Sequence, residues 1–159
     1  MILPGHLAAA YLVSQIPAVQ GPGVWWAAMF PDLIDKPLRW VTRITPNDRL
    51  PAHSGLFWLL TTLGVWRMRG ASFARSWGVG YGVHLLCDAL NARLNRGRVY
   101  WLWPFKRYEY YVGPTGLLSS LRDFKWRSLL IEMALTLLGL SYYAGRSSAK
   151  HHVTIDRSV

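Results

Sequence analysis

Residues 76–88, SWGVGYGVHLLCD, decide the fold because they combine a long uncharged run with polar residues at helical spacing. They lie in a predicted helix of residues 71–94. Their three alternating glycines would let a neighbouring helix approach closely, as small residues do in membranes. His84 and Asp88 are four residues apart, so a helix places both side chains on one face, one turn apart. The stretch therefore predicts a closely packed helix that carries a His and a carboxylate into an apolar environment.

Uncharged stretches recur along the whole chain and set it apart from ordinary soluble proteins. No Asp, Glu, Lys or Arg occurs in residues 1–31 or 50–66, and Glu132 is the one such residue in 128–145. The 159 residues carry 18 Lys and Arg against eight Asp and Glu, a formal net charge of +10, while 52% are hydrophobic and nine are Trp. The basic residues lie between or after the uncharged stretches. A bilayer sorts a chain in this way, and Trp favours its interfaces. A disordered basic tail is excluded, because it would lack this apolar content.

The pattern predicts one all-α domain at residues 1–145, followed by a polar, flexible tail at 146–159. We expect a bundle of about four to five helices, partly or wholly membrane-embedded. It would lie in the cell (inner) membrane as a multi-pass or partly embedded protein. The predicted helices cover 4–16, 24–30, 51–68, 71–94 and a last segment that begins near Leu117 or after Asp123 and ends at Gly145. Residues 36–50 form a predicted polar loop, and 98–114 a β-like or irregular one. Only 128–145 approaches the roughly 20 apolar residues of a full span. A soluble helical bundle with an aromatic core is the alternative.

Three His residues lie within or at the edge of three different uncharged stretches, at His6, His53 and His84. Each has a simpler explanation: a core His bonded to a carbonyl, or an incidental His beside a helix cap. Asp32 and Asp35, in PDLID, are equally compatible with a cap or a turn. Burying all of these groups unpaired would cost several kcal/mol. One shared divalent metal would satisfy them together.

The ligand types restrict the kind of metal site. Neutral imidazole and carboxylate ligands suit Zn²⁺, Mn²⁺ or Fe. Cys87 is the single Cys of the chain, which excludes a thiolate-type structural zinc site and favours a catalytic site with open positions. We therefore expect one or more divalent ions, with Zn²⁺ first and Mn²⁺ or Fe as alternatives.

The positive charge predicts anionic lipid headgroups as partners, because each nearby Lys or Arg contributes about 1 kcal/mol to binding an anionic membrane surface. No nucleic-acid-binding motif occurs and the charges are spread over every loop, so no specific nucleic acid is expected. Arg98, Lys106 and Arg107, set among Tyr100 and Trp101, are predicted to be interfacial anchors without a catalytic part. The sequence leaves the oligomeric state open.

Five short motifs, taken in order, resemble the YdjM-like family of membrane-bound, metal-dependent hydrolases. They are GHL at 5–7, PDLID at 31–35, an R-x-x-x-H-S element at 49–54, HLLCD at 84–88 and LWPF at 102–105. The resemblance covers about residues 3 to 110. The family is in turn distantly similar, at the level of the fold, to zinc-dependent phospholipase C and P1 nuclease.

The resemblance implies a set of site residues. The implied metal ligands are His6, Asp32, Asp48, His53, His84 and Asp88. The residues implied in catalysis are Asp35, Arg49 and Asp88, with Asp35 otherwise orienting a ligating His. The chain departs from the family pattern at three positions: Asp48 replaces a His, Leu50 replaces a Gly and Ala52 replaces a Thr. Because a carboxylate still binds hard or borderline metals, Asp48 keeps its place as a candidate ligand.

The expected function is metal-dependent hydrolysis of a phosphoester, such as a phospholipid or a related molecule, in or near the membrane. A bound divalent ion would lower the pKa of a water molecule and supply the nucleophile. A second metal ion, or Arg49, would stabilise charge on the phosphoryl oxygens. Two alternatives remain open: a non-catalytic membrane protein with a structural His/Asp metal cluster, and a nuclease-like phosphodiesterase.

Overall fold

The computed structural model describes residues 3–19, 21–110, 112–122 and 125–156, and of 147–156 it describes the backbone alone. These residues contain no strand, which confirms the predicted all-α class. The helices are α1 (Leu3–Ser14), α2 (Pro22–Pro37), α3 (Gly55–Leu94), α4 (Leu117–Arg122) and α5 (Trp126–Asp156). A 3₁₀ turn at Pro17–Val19 joins α1 to α2, and a π-helical turn at Leu38–Thr42 extends α2.

Helix α3 folds back on itself at Gly70, as the sequence predicts. Gly70 has φ 82° and ψ 174°, a conformation that glycine adopts without a steric penalty. The two halves, residues 55–69 and 71–94, pack antiparallel: the indole of Trp58 donates to the carbonyl of Gly78 across 2.9 Å. Helices α2 and α1 pack on this helical hairpin, and α5 packs mainly on α1.

Helix α2 packs against the second half of α3, and the glycines of that half allow it. A Cβ atom on Gly80 would lie 2.4 Å from the carbonyl oxygen of Val24 and 2.9 Å from its Cα. The predicted close approach is therefore confirmed at Gly80. Behind this contact, Ala27 packs with Trp77 and Tyr81 in a buried aromatic cluster.

The predicted end of a helix at Pro31 and the predicted loop from residue 36 are wrong. Helix α2 continues through Pro31 to Pro37 and then into the π-helical turn. Proline in a helix interior loses one hydrogen bond. Pro31 is nevertheless fully buried, so tertiary packing supports the helix there. The continuation matters for the site, because it places Asp32 and Asp35 on one helix.

The predicted start of the second helix at Pro51 also differs from the structure. Helix α3 begins at Gly55, and the Ser54 hydroxyl accepts a hydrogen bond from the backbone N–H of Phe57 at 3.2 Å. Ser54 is thus the N-cap. The turn before it is held by the Tyr81 hydroxyl, which donates to the carbonyl of Ala52 at 2.5 Å. Of the two readings for residues 98–114, the irregular loop is correct, since the described part of it has no strand.

Helix α5 packs against α1 and carries a buried carboxylate to it. Glu132 accepts a hydrogen bond from the backbone N–H of Gly5 at 2.6 Å, in the first turn of α1. Negative charge is favourable at a helix N-terminus, where backbone N–H groups lack helical partners. Further along, Gly139 lies close to Ala8 of α1. The contact at Glu132 fixes the position of the residue that follows Gly5, which is His6.

Within the described residues, one helix segment is long and apolar enough to cross a membrane, Trp126–Arg146 of α5. Its leucines are largely exposed, and Trp126 at one end and Tyr142 and Tyr143 at the other are 66%, 43% and 60% exposed. Aromatic residues at both ends are typical of a span. The structure therefore supports association with a membrane, but it gives no support to the multi-pass alternative.

The predicted helix end at Gly145 is wrong, because α5 continues to Asp156. No proline occurs from residue 146 to 156, and a glycine in a helix interior costs only about 1 kcal/mol relative to Ala. Residues 157–159 of the predicted tail lie outside the described residues. The division of the chain at residue 146 stays a prediction.

Candidate metal centre

Four segments bring five of the predicted ligands to one place. Helix α1 supplies His6, α2 supplies Asp32, the turn before α3 supplies His53, and the second half of α3 supplies His84 and Asp88. Asp32 is partly exposed and the other four are buried. Residues far apart in the sequence thus meet in the middle of the bundle.

The ring of His84 is fixed in one tautomer by a backbone carbonyl. Its Nδ1 lies 2.6 Å from the carbonyl oxygen of Ala28 in α2. Because a carbonyl oxygen only accepts, Nδ1 must carry the proton and donate it. The lone pair of His84 is therefore on Nε2, which faces the Nε2 of His53 at 3.1 Å. A ligating His held in this way by its other nitrogen is typical of metal sites.

Asp35 fixes His53 in the same manner. One carboxylate oxygen lies 2.7 Å from His53 Nδ1 and also accepts the backbone N–H of His53. The other oxygen accepts the backbone N–H of Ala52 at 2.8 Å. Asp35 is fully buried and all of these bonds point to the segment before α3. Its geometry is that of a residue that orients His53, with Nε2 of His53 directed at the other ligands.

His6 provides the observation that tests the fit of a metal. It is buried, and among the described residues neither ring nitrogen has a hydrogen-bond partner. Its ring stacks on His84, with centroids 3.9 Å apart and an angle of 13° between the planes. Its Nε2 lies 3.4 Å from Asp88 Oδ1. A buried imidazole nitrogen without a hydrogen bond costs about 1–3 kcal/mol, and a cation bound between His6 and Asp88 would replace their long 3.4 Å contact with two ligand bonds.

The distances between the candidate ligand atoms suit coordination of a small cation. His53 Nε2 lies 3.2 Å from Asp88 Oδ2 and 3.6 Å from Asp32 Oδ1. Ligands at about 2.0–2.1 Å from a tetrahedral Zn²⁺ are about 3.3 Å from each other. Two groups have their ligand atoms within 4.8 Å of one another: His6, Asp32 and His84, and His53, His84 and Asp88. His84 belongs to both groups.

The two facing imidazoles have opposite pKa shifts in the metal-free site, so His53 is protonated at neutral pH and a bound cation would displace its Nε2 proton. Burial alone would lower the pKa of His53, but its bonds to Asp35 and Asp88 raise that pKa to about 9. Burial and the neighbouring His6 lower the pKa of His84 to about 3. His84 is thus neutral at physiological pH, the form in which an imidazole binds a metal.

The two carboxylates of the cluster are held in their charged form. Burial alone would raise the pKa of Asp88, but Arg49 and the imidazoles of His53 and His6 hold it well below its ordinary value. The pKa of Asp32 is likewise lowered against the effect of burial, by the neighbouring His residues and by Lys36. Lys36 bonds one oxygen of Asp32, while the other oxygen faces His53.

A small pocket of about 10 Å³ opens onto this cluster, roughly the volume that a single water molecule requires. His53, Asp88 and Arg49 line one part of it, and Arg98 and Tyr100 another. The predicted catalytic Arg49 therefore lies at the opening of the site. Tyr100, which lies among the basic residues predicted to be interfacial anchors, is only 1% exposed and forms part of the wall.

The structure does not bring Asp48 into the cluster. Asp48 belongs to neither group of converging ligand atoms. It lines a second, larger cavity next to the site. The chain bends at Leu50 and Pro51, between Asp48 and His53, so the side chains of Asp48 and His53 lie apart. The other five predicted ligands meet without it.

Sequence reasoning missed two residues that shape the site: Tyr100, which lines the small pocket, and Glu132, which bonds to Gly5 next to His6. A signal for Glu132 was present, since it is the one carboxylate in an uncharged stretch, and such residues are expensive unless they have a partner. For Tyr100 no such signal existed, because its neighbours are aromatic and basic residues of the same kind. Only the folded loop shows which of them turns inward.

Comparison with known proteins identifies the chain at the level of a family. A sequence model of the YdjM inner membrane protein family matches residues 2–154. No curated protein and no solved structure matches the chain. The more distant similarity to zinc-dependent phospholipase C and P1 nuclease accordingly stays a prediction.

Proposed function

Since the chain belongs to the YdjM inner membrane protein family, we propose that it is a membrane-bound, metal-dependent hydrolase that acts on a phosphoester. One observation carries the proposal: five His and Asp side chains from four segments converge, with His84 shared between two groups of ligand atoms. The convergence occurs beside a pocket rather than in a sealed core. A purely structural cluster would need no opening.

The residues take distinct parts in this proposal. His6, Asp32, His53, His84 and Asp88 would hold one or two divalent ions, with Zn²⁺ the first candidate and Mn²⁺ or Fe the alternatives. An ion bound there supplies activation of a water molecule and neutralisation of phosphoryl charge. Asp35 holds the ring of His53 in place. His84 is held in the same way by the carbonyl of Ala28.

Arg49 and Asp88 act on the substrate side of the site. Arg49 lines the small pocket next to Asp88 and would stabilise the negative charge that develops on the phosphoryl oxygens. Hydrolysis forms a bond from the water oxygen to phosphorus, breaks the bond to the leaving oxygen, and transfers a proton from the water. The proton would pass to the solvent or to the leaving oxygen, while Asp88, which lines the small pocket, would hold the ion beside the attacking water.

The test measures metal content and turnover together. We expect the purified protein to contain a divalent metal and to cleave bis(p-nitrophenyl) phosphate, with loss of activity on chelation and recovery with Zn²⁺ or Mn²⁺. The double variant His84→Ala, Asp88→Ala should lose both properties. Equal metal content in this variant and the wild type would refute the site. Tightly bound metal without turnover of any ester would favour the structural alternative.

A further inference from the structure

A cavity of about 670 Å³ lies next to the metal centre, and the proposed reaction does not by itself explain it. Arg49 and Arg98 line both this cavity and the small pocket that reaches His53 and Asp88. A molecule in the cavity would therefore have one end next to the metal ligands. The lining of the cavity indicates what kind of molecule that is.

One wall of the cavity is basic. Two carboxylates, Asp48 and Glu109, lie among its five basic residues. Glu109 is already paired with Arg98 at 2.8 Å, and Lys36 is paired with Asp32 at 2.5 Å, so a net excess of two positive charges is left. The excess of positive charge favours an anionic ligand, such as a phosphate. The basic residues of this wall are Lys36, Arg49, Arg96, Arg98 and Lys125.

The cavity also has an apolar lining, largely exposed, which we call its apolar wall. It is formed by Trp40, Val112 and the α4 residues Leu117 and Leu121, of which the last two lie one turn apart on the same helix face. Val112 is 84% exposed, Leu117 61% and Leu121 54%. Leaving such side chains in water forgoes roughly 1.5–3 kcal/mol each relative to burial. This wall therefore fits an apolar chain.

The cavity also lies at one end of the candidate membrane span. Lys125 and Ser128, which flank Trp126, line it, and the span begins at Trp126. A Trp and a Lys at the end of a span are typical of the headgroup region. The cavity thus lies at the level where lipid headgroups and acyl chains would meet around a spanning α5.

We propose that this cavity binds a membrane amphiphile with an anionic phosphate headgroup. The phosphate lies against the basic wall near Arg49, and the apolar chain lies along Leu117 and Leu121 of α4. That this amphiphile is the substrate rests on the proposed function, because the phosphate would lie beside the metal centre. That the cavity binds the amphiphile does not depend on a metal, and binding is therefore tested without one.

The binding experiment compares three small probes on full-length protein in phosphatidylcholine nanodiscs, with a chelator present. Isothermal titration calorimetry is used with hexyl phosphate, inorganic phosphate and hexyl glucoside. We expect hexyl phosphate to bind more tightly than inorganic phosphate, and hexyl glucoside to show no measurable binding. Hexyl phosphate that binds no better than inorganic phosphate would refute the apolar part of the site.

Two cavity variants separate the contributions of charge and chain. Arg96→Gln with Lys125→Gln should weaken both phosphate probes by about thirtyfold, as expected for two cations near an anionic headgroup. Leu117→Asn with Leu121→Asn should weaken hexyl phosphate and leave inorganic phosphate unchanged.

Matched controls come from the same chain. Leu118→Asn changes an 83% exposed leucine of α4 that does not line the cavity. Arg67→Gln with Arg75→Gln removes two cations near the turn of the α3 hairpin. Both controls should bind all probes like the wild type, and cavity variants that behave like these controls would overturn the proposal.

The outcomes distinguish this inference from the proposed function. Selective binding of hexyl phosphate by a protein without metal-dependent turnover would support the cavity and refute the hydrolase. Metal-dependent turnover without selective binding of hexyl phosphate would support the hydrolase and refute the binding site in the cavity. Displacement of hexyl phosphate by a short single-stranded DNA at equal concentration would also overturn the assignment to a membrane amphiphile.

Discussion

At the scale of single residues, Asp35 has both carboxylate oxygens occupied by His53 and by two backbone N–H groups. Its contribution to the metal centre is therefore the orientation of His53. Asp35→Asn keeps the size of the side chain but removes the charge that holds the proton on His53 Nδ1. Loss of such a partner typically lowers metal affinity by about 10–100-fold.

Competition with a chromophoric chelator measures this change in affinity. Asp48→Asn is the matched control, since Asp48 lies outside the cluster, and it should keep wild-type affinity. An Asp35→Asn variant with unchanged affinity would contradict the role in positioning His53. A large loss in the control would show that Asp48 is a ligand after all.

His6 offers a second prediction, because its ring is buried without a hydrogen-bond partner among the described residues. His6→Phe keeps an aromatic ring to stack on His84 and removes both unsatisfied nitrogens. We expect the metal-free variant to have a free energy of unfolding within about 1–3 kcal/mol of the wild type, because removal of the nitrogens that lack hydrogen bonds is opposed by loss of the 3.4 Å contact with Asp88. We also expect the stabilisation by added Zn²⁺ to fall.

Thermal or denaturant unfolding with and without Zn²⁺ measures both quantities. If His6 were only a core residue, His6→Phe would leave the stabilisation by Zn²⁺ at its wild-type value. His6→Ala serves for comparison. It removes the same nitrogens but also the stacked ring, so it should destabilise the metal-free protein.

At the scale of helices, the contact between α2 and α3 depends on Gly80. A Cβ there would collide with the backbone of Val24 at 2.4 Å, and a backbone cannot move aside as a flexible side chain can. Gly80→Ala should therefore lower the free energy of unfolding by about 1–3 kcal/mol, the usual cost of overpacking.

Gly82→Ala is the matched control on the same helix. A Cβ on Gly82 has no atom within 4 Å. The substitution should raise the free energy of unfolding by up to about 1 kcal/mol, because Ala is the better helix former. Similar effects of the two substitutions in denaturant unfolding would contradict the close contact of α2 with α3.

Sequence patterns predicted some helix boundaries and missed others. The outcome depended on whether a local backbone preference or tertiary packing decided the boundary. Gly70 ends a helix by a local preference of its own backbone, so its position could be predicted. Pro31 has a local preference against the helix interior, yet α2 passes through it. The burial of Pro31 against the rest of the bundle overrides that preference, and packing of this kind is not visible in the local sequence.

At the scale of the whole molecule, α5 is the segment expected to hold the protein in the membrane. Leu137 lies near the middle of Trp126–Arg146 and is 61% exposed. An Arg at the centre of a spanning helix costs about 2.5–3.5 kcal/mol of insertion free energy. We expect Leu137→Arg to reduce the integrated fraction of the full-length protein.

Glycosylation mapping in microsomes measures that fraction. Met68→Arg is the control, because Met68 is 80% exposed but already lies between Arg67 and Arg69, outside the span. It should integrate like the wild type. Equal integration of the two variants would mean that α5 does not cross the bilayer.

The sequence by itself determined the all-α class, the turn at Gly70, the one segment of the described residues that is apolar and long enough to span a membrane, and the types of candidate metal ligand. These follow from local features: helical spacing, the backbone freedom of glycine, the segregation of charge and the chemistry of imidazole and carboxylate. Tertiary structure alone decided that five predicted ligands converge while Asp48 does not, and that Asp35 faces His53. It also decided that Glu132 bonds to Gly5 and that Tyr100 turns inward. Such contacts join atoms from segments far apart in the chain, and their distances depend on how whole helices pack.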